Sequence, residues 1–408
     1  VSEIIFREAY GQLVSRLSCV FGLQHLLLIE DVVQDSLLIA LEVWKFKGVP
    51  ENPTGWLYKV ARNKMIDALR KDKVRTSVDP LLLSGYTQQL KIPPVEDSSL
   101  IMDDTLRMMF VCCHPKISQE AQIALCLKTL CGFSVREIAS ACITSEETIT
   151  KRLYRAREVL RSLNIKTDDQ EDSYFEIRLE GVLRTIYLIF TEGYNATHQD
   201  GVIRKDVAED AIRLAFMLTH AEKTSTPATY ALLALMCFQS ARLASRVDEH
   251  GDLISLQHQD RSVWDTDLIQ QGLTYLAKSA NGNVISTYHL EAGIAYEHIK
   301  ASSYEHTNWN QIVSLYEQLY EKNPSDVVLL NQLIAKSFTH GVAHVLDVVR
   351  SSTLKKSLQD YYLFHATLAD WYVERKDYIQ AKEHLLFAIQ LTKAPAEKRF
   401  LEKKLISL

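Results

Sequence analysis

Glycine and proline are scarce in this chain, 14 and 9 of 408 residues, and apolar side chains recur every three to four positions almost throughout. An all-α protein is therefore expected. No stretch approaches the eighteen or more continuous apolar residues of a membrane span, and no charged, apolar, small-residue signal opens the chain, so a cytoplasmic protein without a membrane partner is expected. A nucleophile elbow, a phosphate-binding glycine loop and a metal-ligand helix are also missing. Glu192, His198, Asp200, His258, Asp260, Arg261 and Asp265 thus have nothing to organise them for catalysis, and neither a covalent step nor a cofactor is expected. Seven cysteines, an odd number, sit mostly inside apolar helices, which suits buried thiols in a reducing compartment. Cys112-Cys113-His114 lacks the loop spacing of a zinc knuckle, so packing rather than a metal is expected there.

What the chain does have is positive charge gathered on two helices. The formal net charge of -5 hides an asymmetry: 21 basic against 19 acidic side chains up to residue 165, and 25 against 32 beyond it. The later part is a candidate protein-binding surface rather than a DNA surface. In the second basic segment, Ser134 and Glu137 are spaced as a capping box for a short helix whose apolar face is Val135, Ile138 and Ala139. Ser145 then caps a second helix with apolar positions Ile149, Leu153, Ala156 and Leu160, leaving Glu147, Thr148, Thr150, Lys151, Arg152 and Arg155 off that stripe. Two short helices about a tight turn make a helix-turn-helix, whose second helix meets base edges while cations hold phosphates. The alternative is an ordinary helical hairpin with a solvated basic face.

The first basic segment starts at Asn52 and Pro53 and carries the stripe Leu57, Val60, Ala61, Ile66 and Leu69. Lys59, Arg62, Asn63, Lys64, Arg70 and Lys71 lie outside the stripe, with Trp56 and Tyr58 among them. Aromatics interleaved with cations suit a single strand, whose bases stack on rings while phosphates meet charge. As the other reading, Trp56 is a core residue.

Ile29-Glu-Asp-Val-Val-Gln-Asp-Ser-Leu-Leu-Ile-Ala-Leu-Glu-Val-Trp, followed by Gly48-Val-Pro-Glu-Asn-Pro-Thr-Gly-Trp-Leu-Tyr-Lys-Val-Ala-Arg-Asn-Lys-Met-Ile-Asp, resembles region 2 of the extracytoplasmic-function (ECF) sigma factors of bacterial RNA polymerase. Residues 107–161 resemble region 4, and Met109-Phe-Val-Cys-Cys-His-Pro resembles the subgroup with a long C-terminal helical extension. The resemblance implies region 2 over 1–75, a linker over 76–104, region 4 over 105–165 and an extension over 173–408. It implies docking of Asp31, Gln34 and Asp35 on the beta-prime coiled coil of core polymerase, with Val32, Leu37, Leu38 and Leu41 packed inward, and region 4 near the beta flap. The loop Lys47 to Pro53 would hold a flipped base of the minus-10 strand, with Lys47, Asn52, Trp56, Lys59, Arg62, Asn63, Lys64 and Arg70 as DNA contacts. The minus-35 element would meet Ser145, Glu147, Thr148, Thr150, Lys151, Arg152 and Arg155. Glu146 and Glu147 depart from the more neutral start usual in the family; they favour the helix dipole and repel phosphate, so the bases read stay open.

The extension reads as amphipathic helices over Ile177 to Phe190, Val207 to His220, Pro227 to Ser245, Thr287 to Ile299 and Trp309 to Lys322, with more to the end. Leu368, Ala369, Tyr372, Ala381, Leu385 and Ala388 fall at tetratricopeptide offsets, and Trp309 to Phe338 reads as a degenerate copy, with a plain bundle as the alternative. Such helices would receive a protein or peptide partner. Gln259-Asp-Arg-Ser-Val-Trp-Asp is expected to be a buried polar junction in which Arg261 pairs an Asp above Trp264, and Gly193 is expected to end a helix. The function implied is a sigma factor that directs core polymerase to promoters and helps open them, with a regulatory extension. The alternative is a stand-alone helix-turn-helix regulator whose helical domain senses a ligand or dimerises.

Overall fold

The helical periodicity is realised among the described residues, although the helices expected over Pro227 to Ser245 and Val207 to His220 stop at Ser240 and Met217 and continue only as short 3-10 turns. The computed structural model describes residues 2–75, 98–142, 144–163, 172–195, 205–248, 252–392 and 395–408; among these are nineteen α-helices and no strand beyond an isolated bridge of Val247 with Leu253. Residues 76–97 of the expected linker, and 164–171 of the acidic joint that follows region 4, lie outside the described residues. The end of that linker is helical instead, within a helix Ser98–Cys112, because Leu106, Met109 and Phe110 give it a face to bury. No helix among the described residues is long and apolar enough to cross a membrane.

The chain divides into two units, Val1–Ile189 and Phe190–Leu408. The first begins with α1 (Ser2–Phe21), α2 (Leu26–Lys47) and α3 (Pro53–Arg75), whose core is Leu13, Val14 and Leu17 against Ile29 and Val33 and against Leu57, Ala61 and Met65. Then come α4 (Ser98–Cys112), α5 (Gln119–Thr129), α6 (Val135–Ala141), α7 (Glu146–Leu163) and the long α8 (Asp172–Asn195). These are packed onto the first bundle. A Cβ on Gly11 of α1 would lie 2.1 Å from the Leu130 carbonyl oxygen, so only glycine lets α1 pass the end of α5. Arg16 of α1 pairs with the buried Asp104 of α4 at 2.7 Å. The inner half of α8 covers α4 and α5: Phe175 meets Phe110 edge-on at 4.8 Å, Arg178 donates to the Phe110 carbonyl at 3.0 Å, and Thr185 donates to Gln122 at 2.9 Å. Gly193 lies inside α8, which runs two residues further to Asn195; the expected glycine stop is corrected by a helix still supported on its buried side.

The second unit contains α9 (Lys205–Met217), α10 (Pro227–Ser240), α11 (Thr266–Ser279), α12 (Thr287–Lys300), α13 (Trp309–Lys322), α14 (Asp326–His340), α15 (Val342–Ser351), α16 (Leu354–Ser357), α17 (Tyr362–Glu374), α18 (Tyr378–Leu391) and α19 (Pro395–Ile406). Residues 231–238 of α10 are buried without interruption, so this helix is the axis of the unit's front half. Gly272 of α11 lets the Phe238 ring approach to 2.5 Å of where a Cβ would stand. Further on, Trp309 and Phe338 stack at 4.0 Å across α13 and α14, while Leu368, Ala369, Ala381, Leu385 and Ala388 are buried between α17 and α18. The expected polar junction forms with different partners. Among the described residues Arg261 pairs with no Asp: its guanidinium lies over Trp264 at 4.6 Å and donates to the carbonyls of His298 and Ala301, capping the end of α12. Asp260 and Asp265 cap helices of their own, and the Trp264 indole donates to Ser245 at 2.9 Å.

Two histidines make this unit acid-sensitive. Burial first, then the charges of Arg242 and Arg261, lower the His298 pKa from 6.5 to about 3; burial and then His365 lower that of His384 to about 4, with Glu383 and Lys355 nearby. Both imidazoles are held neutral when folded and take up a proton once unfolded. The stability they contribute is present above pH 6.5 and is lost as pH falls from 6.5 towards those values, at about 1.4 kcal/mol per pH unit for His298. The melting temperature at pH 5 should therefore fall below that at pH 7, and His298→Gln should reduce the difference. Equal melting at the two pH values would contradict this.

Candidate polymerase and promoter surfaces

The helix-turn-helix forms as its caps dictate. Ser134 Oγ accepts from the Glu137 amide at 3.2 Å while the Glu137 carboxylate accepts from the Ser134 amide at 2.7 Å, which fixes the start of α6. Ser145 Oγ accepts from the Thr148 amide at 3.2 Å and opens α7. Ile149, Leu153, Ala156 and Leu160 are buried against α5 and α6, and the opposite face shows Glu147, Thr150, Lys151 and Arg155, with Thr148 and Arg152 half-buried at its edges. Four of these side chains are engaged internally, Thr148 with the Ser145 hydroxyl at 2.8 Å among them. Lys151 pairs with Glu147 at 2.5 Å and Thr150 donates to the Glu146 carbonyl at 2.8 Å.

In the first bundle, the Asn52 side chain accepts from the Gly55 amide at 2.8 Å and caps α3, with Pro53 in its first turn. Lys47, Asn52, Lys59, Asn63 and Arg70 are exposed, and Arg62 and Lys64 half-buried. Lys64 pairs with Asp35 of α2 at 2.9 Å, joining a residue expected to meet DNA to one expected to meet polymerase. Trp56 is half-buried with its ring 5.6 Å from Trp44, which itself stacks on Phe6. Tyr58 is buried, and burial pushes its phenol pKa up; it is a core side chain and cannot stack on a base. The pattern missed a better ring: Phe46 is 84 % exposed between Lys45 and Lys47, beside Gly48 at φ 76. Its signal was an aromatic flanked by two lysines at a helix end.

Asp31, Gln34 and Asp35 are exposed on α2, but the apolar residues around them differ from expectation. Val32 is buried and Leu37 half-buried, whereas Leu38 and Leu41 are 59 % and 50 % exposed. With Leu27, 48 % exposed, they form a seam of positions 27, 31, 34, 38 and 41, in alternating steps of four and three. The correction has a physical origin: α2 is apolar on most of its circumference, and α1 and α3 cover only part of it.

Beneath this seam is the most buried charge of the unit. Glu30 of α2 accepts from Thr129 of α5 at 3.3 Å and from the Arg157 guanidinium of α7 at 2.5 Å. Burial raises its carboxyl pKa, and Arg157 draws it back. Elsewhere, Cys113 and Cys126 face each other in the core at 3.8 Å; contact with Cys126 and then burial raise the Cys113 thiol pKa, and contact with Cys112, with burial, raises that of Cys126.

A helix-turn-helix joined to a helical bundle that presents a basic helix and a half-apolar, half-acidic helix defines a DNA-binding protein of transcription. Comparison narrows the class. Residues 6–75 match Sigma-70 region 2, residues 107–160 match Sigma-70, region 4, and residues 178–280 match a Family of unknown function (DUF6596). Uncharacterized protein R00370 of Rhizobium meliloti (strain 1021) is 32% identical over 344 residues, 84% of this chain and 81% of its own length. ECF RNA polymerase sigma factor SigL of Mycobacterium tuberculosis (strain CDC 1551 / Oshkosh) is 29% identical over 133 residues, 32% of this chain and 72% of that protein. ECF RNA polymerase sigma factor EcfG of Rhodopseudomonas palustris (strain TIE-1) is 31% identical over 143 residues, 35% of this chain and 74% of that protein. No solved structure matches the chain. The chain belongs to the ECF sigma factors, in a form with a C-terminal extension that R00370 resembles along most of its length. As a sigma factor it binds core RNA polymerase and promoter DNA.

Proposed function

We propose that the α2 seam is the polymerase-docking surface, with the coiled coil of the beta-prime subunit as its partner. The observation that carries this reading is the spacing of Leu27, Asp31, Gln34, Leu38 and Leu41, the pattern one helix of a coiled coil offers another, on a face left exposed by the described residues. Asp31 and Asp35 add the charge that meets a basic partner. The loop from Lys47 and the basic side of α3, through Lys59, Arg62, Asn63, Lys64 and Arg70, holds the non-template minus-10 strand, with Asn52 and Trp56 fixing the loop and its aromatic base. On α7, Thr148, Thr150 and Arg152 meet minus-35 bases, Lys151 and Arg155 meet phosphates, Ser145 and Glu147 order the helix start, and the beta flap lies against region 4.

The extension is regulatory in this reading: it lies outside the two sigma regions and presents helix pairs of the kind that bind peptides. In vitro transcription with purified core enzyme on a promoter library tests both parts. The shortened chain should end after Ile189, because Phe175, Arg178 and Thr185 of α8 support α4 and α5. A regulatory extension changes output while leaving the minus-35 preference in place. Equal output from both chains overturns the regulatory role, and intact transcription after charge reversal at Arg152 and Arg155 overturns the assignment of α7.

A further inference from the structure

The second unit contains a cavity of about 310 Å³ whose walls come from distant parts of the chain: Tyr194 at the end of α8, Arg242 and Arg246 after α10, Tyr362 on α17, and Glu397 and Phe400 on α19. Its polar side is built. Arg246 donates to the Tyr194 carbonyl at 2.6 Å and lies over the Tyr194 ring, 3.8 Å from its centroid. Arg242 donates to the Tyr194 hydroxyl at 2.9 Å and to Gln239 at 2.7 Å. Each guanidinium is thus fixed by neutral oxygens, and neither is within ion-pair distance of a carboxylate among the described residues. Two cations four positions apart in a partly dry wall, where the charge of Glu397 reaches Arg246 only beyond ion-pair distance, are costly, and a bound anion lowers that cost. The phenol of Tyr194 responds to the same field: burial alone would raise its pKa, yet Arg242 and Arg246 lower it.

The rest of the wall is apolar, with Leu253, Ile254 and Leu256 facing Phe400 and Leu401. Glu397, which accepts from Thr392 at 2.7 Å, stands on the same wall as Phe400 and repels a second acid group. The volume is at the low end for ligand pockets, roughly 300 Å³ and upward. We infer that this cavity binds a small organic monoacid, its carboxylate on Arg242 and Arg246 and its ring or branched body against Phe400 and Ile254. Occupancy joins the front of the unit to α17 and α19, across a seam already bolted by Asp252 to Arg399 at 2.8 Å and to Lys403. Such a ligand is the signal that the regulatory reading of the extension calls for, and only that consequence rests on the reading.

The test uses the full chain with benzoate and 4-methylpentanoate as probes, and benzyl alcohol and inorganic phosphate as controls, read by calorimetry and thermal shift. The acids bind one per chain and raise the melting temperature, with the alcohol and phosphate weaker by about tenfold or more. Arg242→Met and Arg246→Met each weaken the acids by about tenfold, and Ile254→Trp, which fills the apolar end and leaves both arginines, abolishes binding. Absence of binding by both acids at millimolar concentration, equal binding of benzyl alcohol, or acid binding unchanged in the arginine variants overturns the inference. Binding that leaves in vitro transcription unaltered supports the cavity and overturns the regulatory reading of the extension instead.

Discussion

A chain carrying Asp31→Lys, Leu38→Ser and Leu41→Ser should lose affinity for core polymerase by about a hundredfold, and promoter-directed transcription with it, while melting like the parent. The side chains are exposed, so folding owes them little. At an interface each of the three would contribute about 1 kcal/mol or more, and together about 3 kcal/mol corresponds to that loss. Titration of labelled core enzyme gives the affinity, and circular dichroism confirms the fold. Unchanged affinity in a folded triple variant would sink the docking assignment. Asp35 is left out of the variant because its contact with Lys64 would confound a polymerase effect with a DNA effect.

The second large effect is expected at Glu30 and Arg157. Arg157→Met removes the partner of a buried carboxylate and should cost about 3–5 kcal/mol, whereas Glu30→Leu with Arg157→Met should recover most of it, since neither charge then remains to be desolvated. The pH dependence follows from the direction of the Glu30 shift. A folded-state pKa raised above the unfolded value means that the folded state binds the proton more tightly, so this group's contribution is fully present at low pH and declines as pH rises above about 4.5. Without Arg157 the rise is larger. The cost of Arg157→Met should therefore shrink on acidification, as read by denaturant unfolding and by hydrogen exchange in α7. A cost independent of pH between 4.5 and 7 would show that Glu30 is not the group responsible.

Local chemistry was the part most easily read. The capping box at Ser134, the cap at Ser145, the stripe Ile149, Leu153, Ala156 and Leu160 and the span of α13 all depend on residues a few positions apart, and all stand where expected. What escaped depends on which neighbour covers a face. Periodicity marks Leu38 and Leu41 as apolar without saying that α1 and α3 stop short of them. Arg261 was matched to the nearest aspartates, but the carbonyls of His298 and Ala301 lie far along the chain and outbid them. Glu30 and Arg157 are separated by 127 positions, a distance at which no pattern of spacing operates.

With the docking and minus-10 surfaces proposed above, the exposed bridge between Asp35 and Lys64 would give the two binding events a shared switch. Whichever proposed visitor arrives first, basic coiled coil or DNA phosphate, would take one member and release the other for the second. Thermodynamic reciprocity then makes promoter affinity rise with polymerase occupancy and the reverse by the same factor. Because a solvent-facing pair of this kind is worth at most about 1 kcal/mol, the factor is about fivefold, and it fades as added salt loosens the bridge.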